Sequence, residues 1–132
     1  MHDLANQFVD ALGRLHTDRE VDPLVELFSD DATLNKAGIP HGQQGRDGAR
    51  TFWEQYRDVF DDIEASFSHR VTEDDIAFLE WKSAGTLRDG TEFRYDGVSV
   101  LESDGGDLIQ AFRTYYDTAA FLSAEKRSAS TD

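Results

Sequence analysis

FLEWKSAGTLRDGTEFRYDGVSVLESDGGDLIQAFRTYYD, residues 78–117, decides the fold. It contains three extended segments, 78–86, 93–101 and 108–116. Two turns join them, Arg88-Asp89-Gly90-Thr91 and Ser103-Asp104-Gly105-Gly106, where glycine supplies the positive φ that a tight hairpin demands. Asp117 closes the stretch and is suited to cap a final helix through Phe121 and Leu122. Helical patterns precede this meander. Helices first and a long antiparallel meander last predicts an α+β cone with a hollow centre, and a hollow centre implies a pocket for a small molecule.

Upstream, Leu4, Phe8, Ala11, Leu12 and Leu15 recur at helical spacing and form one apolar stripe. Asp22-Pro23 starts a second, short helix through Phe28, stopped by Ser29-Asp30-Asp31. Residues 32–35 read as a short strand, and residues 38–45 (GIPHGQQG) as a loop. Asp47 is placed to cap a third helix carrying Ala49, Phe52, Trp53, Tyr56, Val59 and Phe60. Ile63, Ala65, Phe67, His69 and Val71 alternate with polar residues, which predicts a strand with all five on one face. We expect one domain over residues 1–124 and a flexible polar tail over 125–132.

Composition narrows the function. The 132 residues include 27 acidic and 13 basic side chains, for a net charge of −14. Such a surface repels nucleic acid and anionic lipid. There is no cysteine, hence no disulfide or thiolate metal site. No apolar run approaches the ~20 residues of a membrane span. The first residues, MHDLANQF, lack the basic-then-apolar pattern of a signal peptide. The expectation is a cytoplasmic protein. Arginine outnumbers lysine, which occurs at Lys36, Lys82 and Lys126 alone. An acid-rich, lysine-poor, cysteine-free composition resembles that of proteins from salt-loving microbes; an ordinary acidic protein is the alternative.

Four local patterns, QFVDAL (7–12), LFSDDATL (27–34), GRDGARTFW (45–53) and GVSVL…RTYYD (97–117), cover nearly the whole chain. In their order and spacing the sequence resembles the nuclear transport factor 2-like superfamily and, within it, the SnoaL-like proteins. The resemblance implies a cystatin-like cone, a curved sheet wrapped around a long helix. It does not imply one activity, because that superfamily holds isomerases, cyclases, hydrolases, dehydratases and non-enzymes.

Three known chemistries fail to match residue by residue. The ketosteroid isomerase-like pattern needs a tyrosine where Phe8 stands, a catalytic aspartate at Lys36, and a protonated acid at Ser99. Phenylalanine donates no hydrogen bond, and lysine is no base near neutrality unless strongly desolvated. The limonene epoxide hydrolase-like pattern needs Arg-x-Asp where Glu80-Trp81-Lys82 stands, a tyrosine and an asparagine at Leu34 and Lys36, and an aspartate at Thr114. The SnoaL polyketide cyclases also place an aspartate at that last position.

Alternation puts Phe112, Thr114 and Tyr116 together on the more apolar face of the last strand, which we assign to the inside. The resemblance turns Phe78, Glu80 and Lys82 inward and leaves Trp81 on the outer sheet face, where it suggests a homodimer contact. A polar cluster of Lys36, Glu80, Lys82 and Thr114 then lies within apolar walls of Phe8, Trp53, Tyr56, Phe60, Phe78 and Tyr116, with Ser99 on the neighbouring strand. The first functional reading is a protein that binds a small, largely apolar molecule, with no cofactor or metal. The alternative is an isomerase, cyclase or dehydratase acting on a carbonyl compound, with Glu80 as base and Lys82 or Lys36 stabilising an oxyanion. A structural ion network of Lys36, Glu80 and Lys82 is a third possibility.

Overall fold

The computed structural model describes residues 1–37, 39 and 41–117. The expected final helix and the 125–132 tail lie outside the described residues.

The apolar stripe of the first segment becomes α1 (His2–Asp18), which buries Leu4, Ala5, Phe8, Ala11, Leu12 and Leu15. The helix ends at Arg19 in the left-handed region, φ 61°, with its backbone N–H on the Leu15 carbonyl. The Arg19 guanidinium donates to the carbonyls of Arg57 (3.1 Å) and Phe60 (3.4 Å). It therefore sits as a cation over the carbonyl end of α3 (Gly45–Val59), where the helix dipole favours positive charge. The second helix, α2 (Asp22–Val25), is one turn long and carries Pro23 in its first turn as expected, but Val21 and not Asp22 stands at its N-cap, and it stops before Phe28. Phe28 instead opens β1 (Phe28–Lys36), so Ser29-Asp30-Asp31 belongs to the strand, not to a helix stop. A register break between Phe28 and Thr33 against the last strand accommodates these polar residues. Within the expected loop, Gln43–Gln44 forms the short β2. Gly45, at φ +73°, turns the chain directly into α3, so Asp47 lies in the first turn instead of at the cap.

The remaining strands are β3 (Phe60–Glu73), β4 (Ile76–Leu87), β5 (Glu92–Ser103) and β6 (Ile109–Tyr116). They form one curved sheet in the order β2-β1-β6-β5-β4-β3. The β1–β6 pair is parallel and every other pair is antiparallel. The architecture is thus the expected α+β cone, with α1 and α3 against the concave face.

Two features decide which residues face inward. The first is a bulge in β3 between Phe67 and His69: Phe67 pairs with Trp81, and His69 pairs with Glu80. The extra residue, Ser68, switches the parity of the strand. Ile63, Ala65 and Phe67 therefore face inward, while Val71 is 59% exposed on the outside. The expected single face does not exist. The second feature is β4, where the buried set is Ala77, Leu79, Trp81 and Ser83. Phe78, Glu80 and Lys82 lie on the exposed face. The inward orientation expected for these three is therefore corrected, and so is the outer position of Trp81. Burying Leu79 and Trp81 removes far more apolar area from water than burying Glu80 and Lys82, whose charges would also have to be desolvated. Gly97, opposite Trp81 on β5, makes room for the indole: a Cβ there would lie 2.7 Å from Trp81 Cζ2.

The inner face changes character along the strands. Leu34, Leu79, Leu101 and Phe112 are solid core, packed with Phe8, Leu24, Phe28 and Ile109. Beyond them β1 continues to Lys36, β4 to Trp81, β5 back to Ser99 and Tyr95, and β6 to Thr114 and Tyr116. There the core gives way to a cavity.

Candidate functional site

The cavity has a volume of about 570 Å³. α1 contributes Phe8 and Leu12, and α3 contributes Phe52, Trp53, Tyr56 and Val59. Phe60 and Phe67 come from β3, and Trp81 from β4. The walls are aromatic and interlocked. Trp53 meets Phe52, Tyr56 and Phe112 edge-on at centroid distances of 4.9–5.4 Å. Tyr56 meets Phe60 in the same manner at 5.2 Å, and Tyr95 meets both Trp81 (5.0 Å) and Tyr116 (5.4 Å).

Against these walls stands one polar row. Lys36, Thr114 and Ser99 are cross-strand partners on β1, β6 and β5. The Trp81 Nε1–H donates to Ser99 Oγ at 3.0 Å, and the Ser99 and Thr114 hydroxyls bond each other at 2.9 Å. Ser99 and Thr114 are both buried. The row has three polar hydrogens, on Trp81, Ser99 and Thr114, and these two bonds use two of them. Whichever hydroxyl donates in the second bond, the other keeps a hydrogen for a guest molecule. Lys36 extends the row, with its Nζ 6.0 Å from the centroid of Phe52. Another donor, the buried indole N–H of Trp53, has no partner among the described residues.

The phenols of the wall are held neutral. Burial raises the pKa of Tyr56, with the nearby Tyr95 adding to the shift. Burial and then Tyr116 raise that of Tyr95, and burial raises that of Tyr116. These phenols stay protonated at pH 7. The Tyr56 hydroxyl shares a 2.7 Å hydrogen bond with Nε2 of His16, whose pKa is lowered to about 4 by burial, so the imidazole is neutral as well. Among the described residues, the one carboxylate at the cavity is Asp89. It sits in the β4–β5 turn, accepts the Thr91 amide at 2.9 Å, and is held below the usual carboxylate range mainly by that bond.

Of the site residues expected from sequence, Phe8, Lys36, Trp53, Tyr56, Phe60, Ser99, Thr114 and Tyr116 meet around this cavity. Phe78, Glu80 and Lys82 do not. Glu80 lies across the sheet, bonded to His69 Nδ1 at 2.7 Å and Ser68 Oγ at 3.2 Å, and its pKa is lowered by those bonds. Lys82 stands opposite Asp96 on the same outer face. Sequence reasoning passed over Trp81, Tyr95 and Phe67 as cavity residues. The apolar alternation of Leu79, Trp81 and Ser83 was the available signal for Trp81. Among the described residues no cluster of His, Asp and Glu is arranged to hold a metal, and no helix is long and apolar enough to cross a membrane.

No curated protein matches the chain. Solved structures do. A nuclear transport factor 2-like protein of unknown function from Exiguobacterium sp. 255-15 has a TM-score of 0.74 and 23% identity, over 87% of this chain and 98% of that one. A Catenulispora acidiphila protein with a ketosteroid isomerase-like fold, solved with trimethylamine, has a TM-score of 0.78 and 18% identity, over 91% and 92%. An LEH-like epoxide hydrolase of M. tuberculosis has a TM-score of 0.73 and 16% identity, over 96% and 92%. At these identities the likeness establishes the fold alone. The model of the SnoaL-like domain matches residues 5–111, and the chain belongs to that family, within the nuclear transport factor 2-like fold.

Proposed function

We propose that the protein binds a small, largely apolar molecule in the cone. The observation that carries this reading is an aromatic chamber of about 570 Å³ with a short hydroxyl row on one wall. That volume lies within the ~300–1,000 Å³ range of small-molecule sites, and a few placed polar groups among apolar ones are what fixes a ligand's orientation. Phe8, Trp53, Tyr56, Phe60 and Tyr116 supply the walls; Ser99 and Thr114 supply the polar contact. The test is calorimetric titration with neutral bicyclic aromatic amides, on the native chain and on Ala65→Phe, which fills the cavity. Binding by the native chain that disappears in a folded Ala65→Phe variant supports the reading. Equal binding by both, or none by either, removes it.

The carbonyl-directed isomerase, cyclase or dehydratase alternative loses its base. Glu80 is separated from the chamber by the sheet, the phenols are protonated, and Asp89 is held by its own turn. The binding reading therefore stands ahead of it.

The homodimer belongs to the same proposal, on different residues from those expected. With Trp81 inside, the outer face still exposes Val71 (59%), Phe78 (44%) and Tyr115 (53%), with Val71 and Phe78 paired across β3 and β4. Apolar exposure of this kind suits contact with a second sheet. Sedimentation of Phe78→Glu against the native chain decides it: unchanged mass rejects this face as the contact. The acidic charge fits a cytoplasm rich in salt, and equal unfolding midpoints at low and molar salt would remove that part.

A further inference from the structure

We propose that Lys36 and the hydroxyl row form a carboxylate subsite, so that the guest is an apolar monocarboxylate. This rests on the cavity-binding reading above and deepens it.

The argument begins with an uncompensated charge. Lys36 borders the chamber, yet no carboxylate among the described residues lies within ion-pair distance of it. The other cation at the chamber, Arg88, is engaged with Asp58: its Nε donates to the Asp58 carbonyl at 3.1 Å, and its Nη2 lies 3.9 Å from the carboxylate. An ammonium left beside aromatic rings in a half-enclosed space lacks the counter-charge that such positions normally carry. A guest can supply it.

The donor inventory then selects the kind of anion. Thr114 is the cross-strand neighbour of Lys36, one strand spacing away on the same inner face. With Ser99 donating to Thr114, the Thr114 hydroxyl hydrogen is uncommitted, and it and the ammonium provide two donors side by side. A carboxylate presents two acceptor oxygens side by side and satisfies both. A neutral carbonyl would occupy one donor and leave the charge unmatched. A phosphate would bring more oxygens and charge than this row can meet. The protein's net charge of −14 does not reverse the preference, because exposed charges are screened beyond ~8 Å at physiological ionic strength whereas a direct contact inside the cavity is not.

The experiment is calorimetric titration with three probes of one shape: 2-naphthoate, 2-naphthamide and 2-naphthylmethylammonium. The native chain should prefer naphthoate over naphthamide by about tenfold or more, the scale of one charge-assisted hydrogen bond, and should reject the ammonium. Lys36→Met should erase the preference by weakening naphthoate far more than naphthamide, Lys36→Arg should retain it, and Thr114→Val should reduce it. Should Lys36→Met not fold, Lys36→Gln serves the same comparison. If the native chain binds naphthamide as well as naphthoate, or if the preference survives in both neutral variants, the carboxylate subsite is wrong and the cavity reading stands. If none of the three probes binds, both fail.

Discussion

The two faces of β4 use neighbouring residues for opposite ends. Inward, Leu79 and Trp81 are buried, one in solid core and the other in the chamber wall. Outward, Phe78 and Glu80 meet solvent, and Glu80 spends its hydrogen bonds on His69 and Ser68. A one-residue step along the strand separates packing and recognition from surface. The lesson is that a titratable residue at the expected sequence position says nothing about chemistry until its face is known.

Substitutions on the two faces test this division. Leu79→Ala should cost about 3 kcal/mol, because it empties fully buried space, while the adjacent Phe78→Ala should cost about 1 kcal/mol or less in the monomer. Denaturant melts of both variants check it, and similar losses would break the distinction. A buried histidine supplies the next test. His16 on the cavity side has a folded pKa of about 4, below its unfolded value near 6.5. The unfolded chain then binds more protons, so this contribution is complete above pH 6.5 and is lost as pH falls from 6.5 towards 4. It amounts to roughly 2–3 kcal/mol. His16→Asn should flatten stability across that window, and denaturant melts from pH 4 to 7 check it. Next, Ser99→Ala should cost about 1–2 kcal/mol, since it orphans the Trp81 Nε1–H and removes the partner of Thr114. A shift in tryptophan emission should accompany it. Smallest of all, Glu80→Gln should leave the denaturation midpoint close to that of the native chain, as an exposed pair does, and should leave binding of a cavity ligand unaltered. Loss of binding there would return Glu80 to the site.

Much of the fold was legible because it rests on local rules. The α1 stripe, Pro23, and the Asp89-Gly90 and Asp104-Gly105 turns each act within a few residues. The inward set Phe112, Thr114 and Tyr116 follows from strict alternation on a strand without a bulge in that stretch. Two errors arose where a longer-range effect took over. Ser68 in β3 interrupts the period of two, and nothing local marks it as a bulge. On β4 the apolar alternation pointed the right way, but the resemblance to enzymes with charged groups at these positions outweighed it. The chamber itself could be expected in kind and not in detail, since the Trp81–Ser99–Thr114 bonds join three strands distant in sequence.

Gly97 carries a consequence for how such a chamber can change. The space that a side chain would fill at that position is occupied by the backbone carbonyl of Tyr115, 2.3 Å from an ideal Cβ, and by the edge of the Trp81 indole. A single methyl group on β5 would have to displace the β6 backbone as well as the ring. One wall of the chamber is thus seated by a residue with no side chain at all, and any side chain gained there would unsettle the join of β5 to β6 together with that wall.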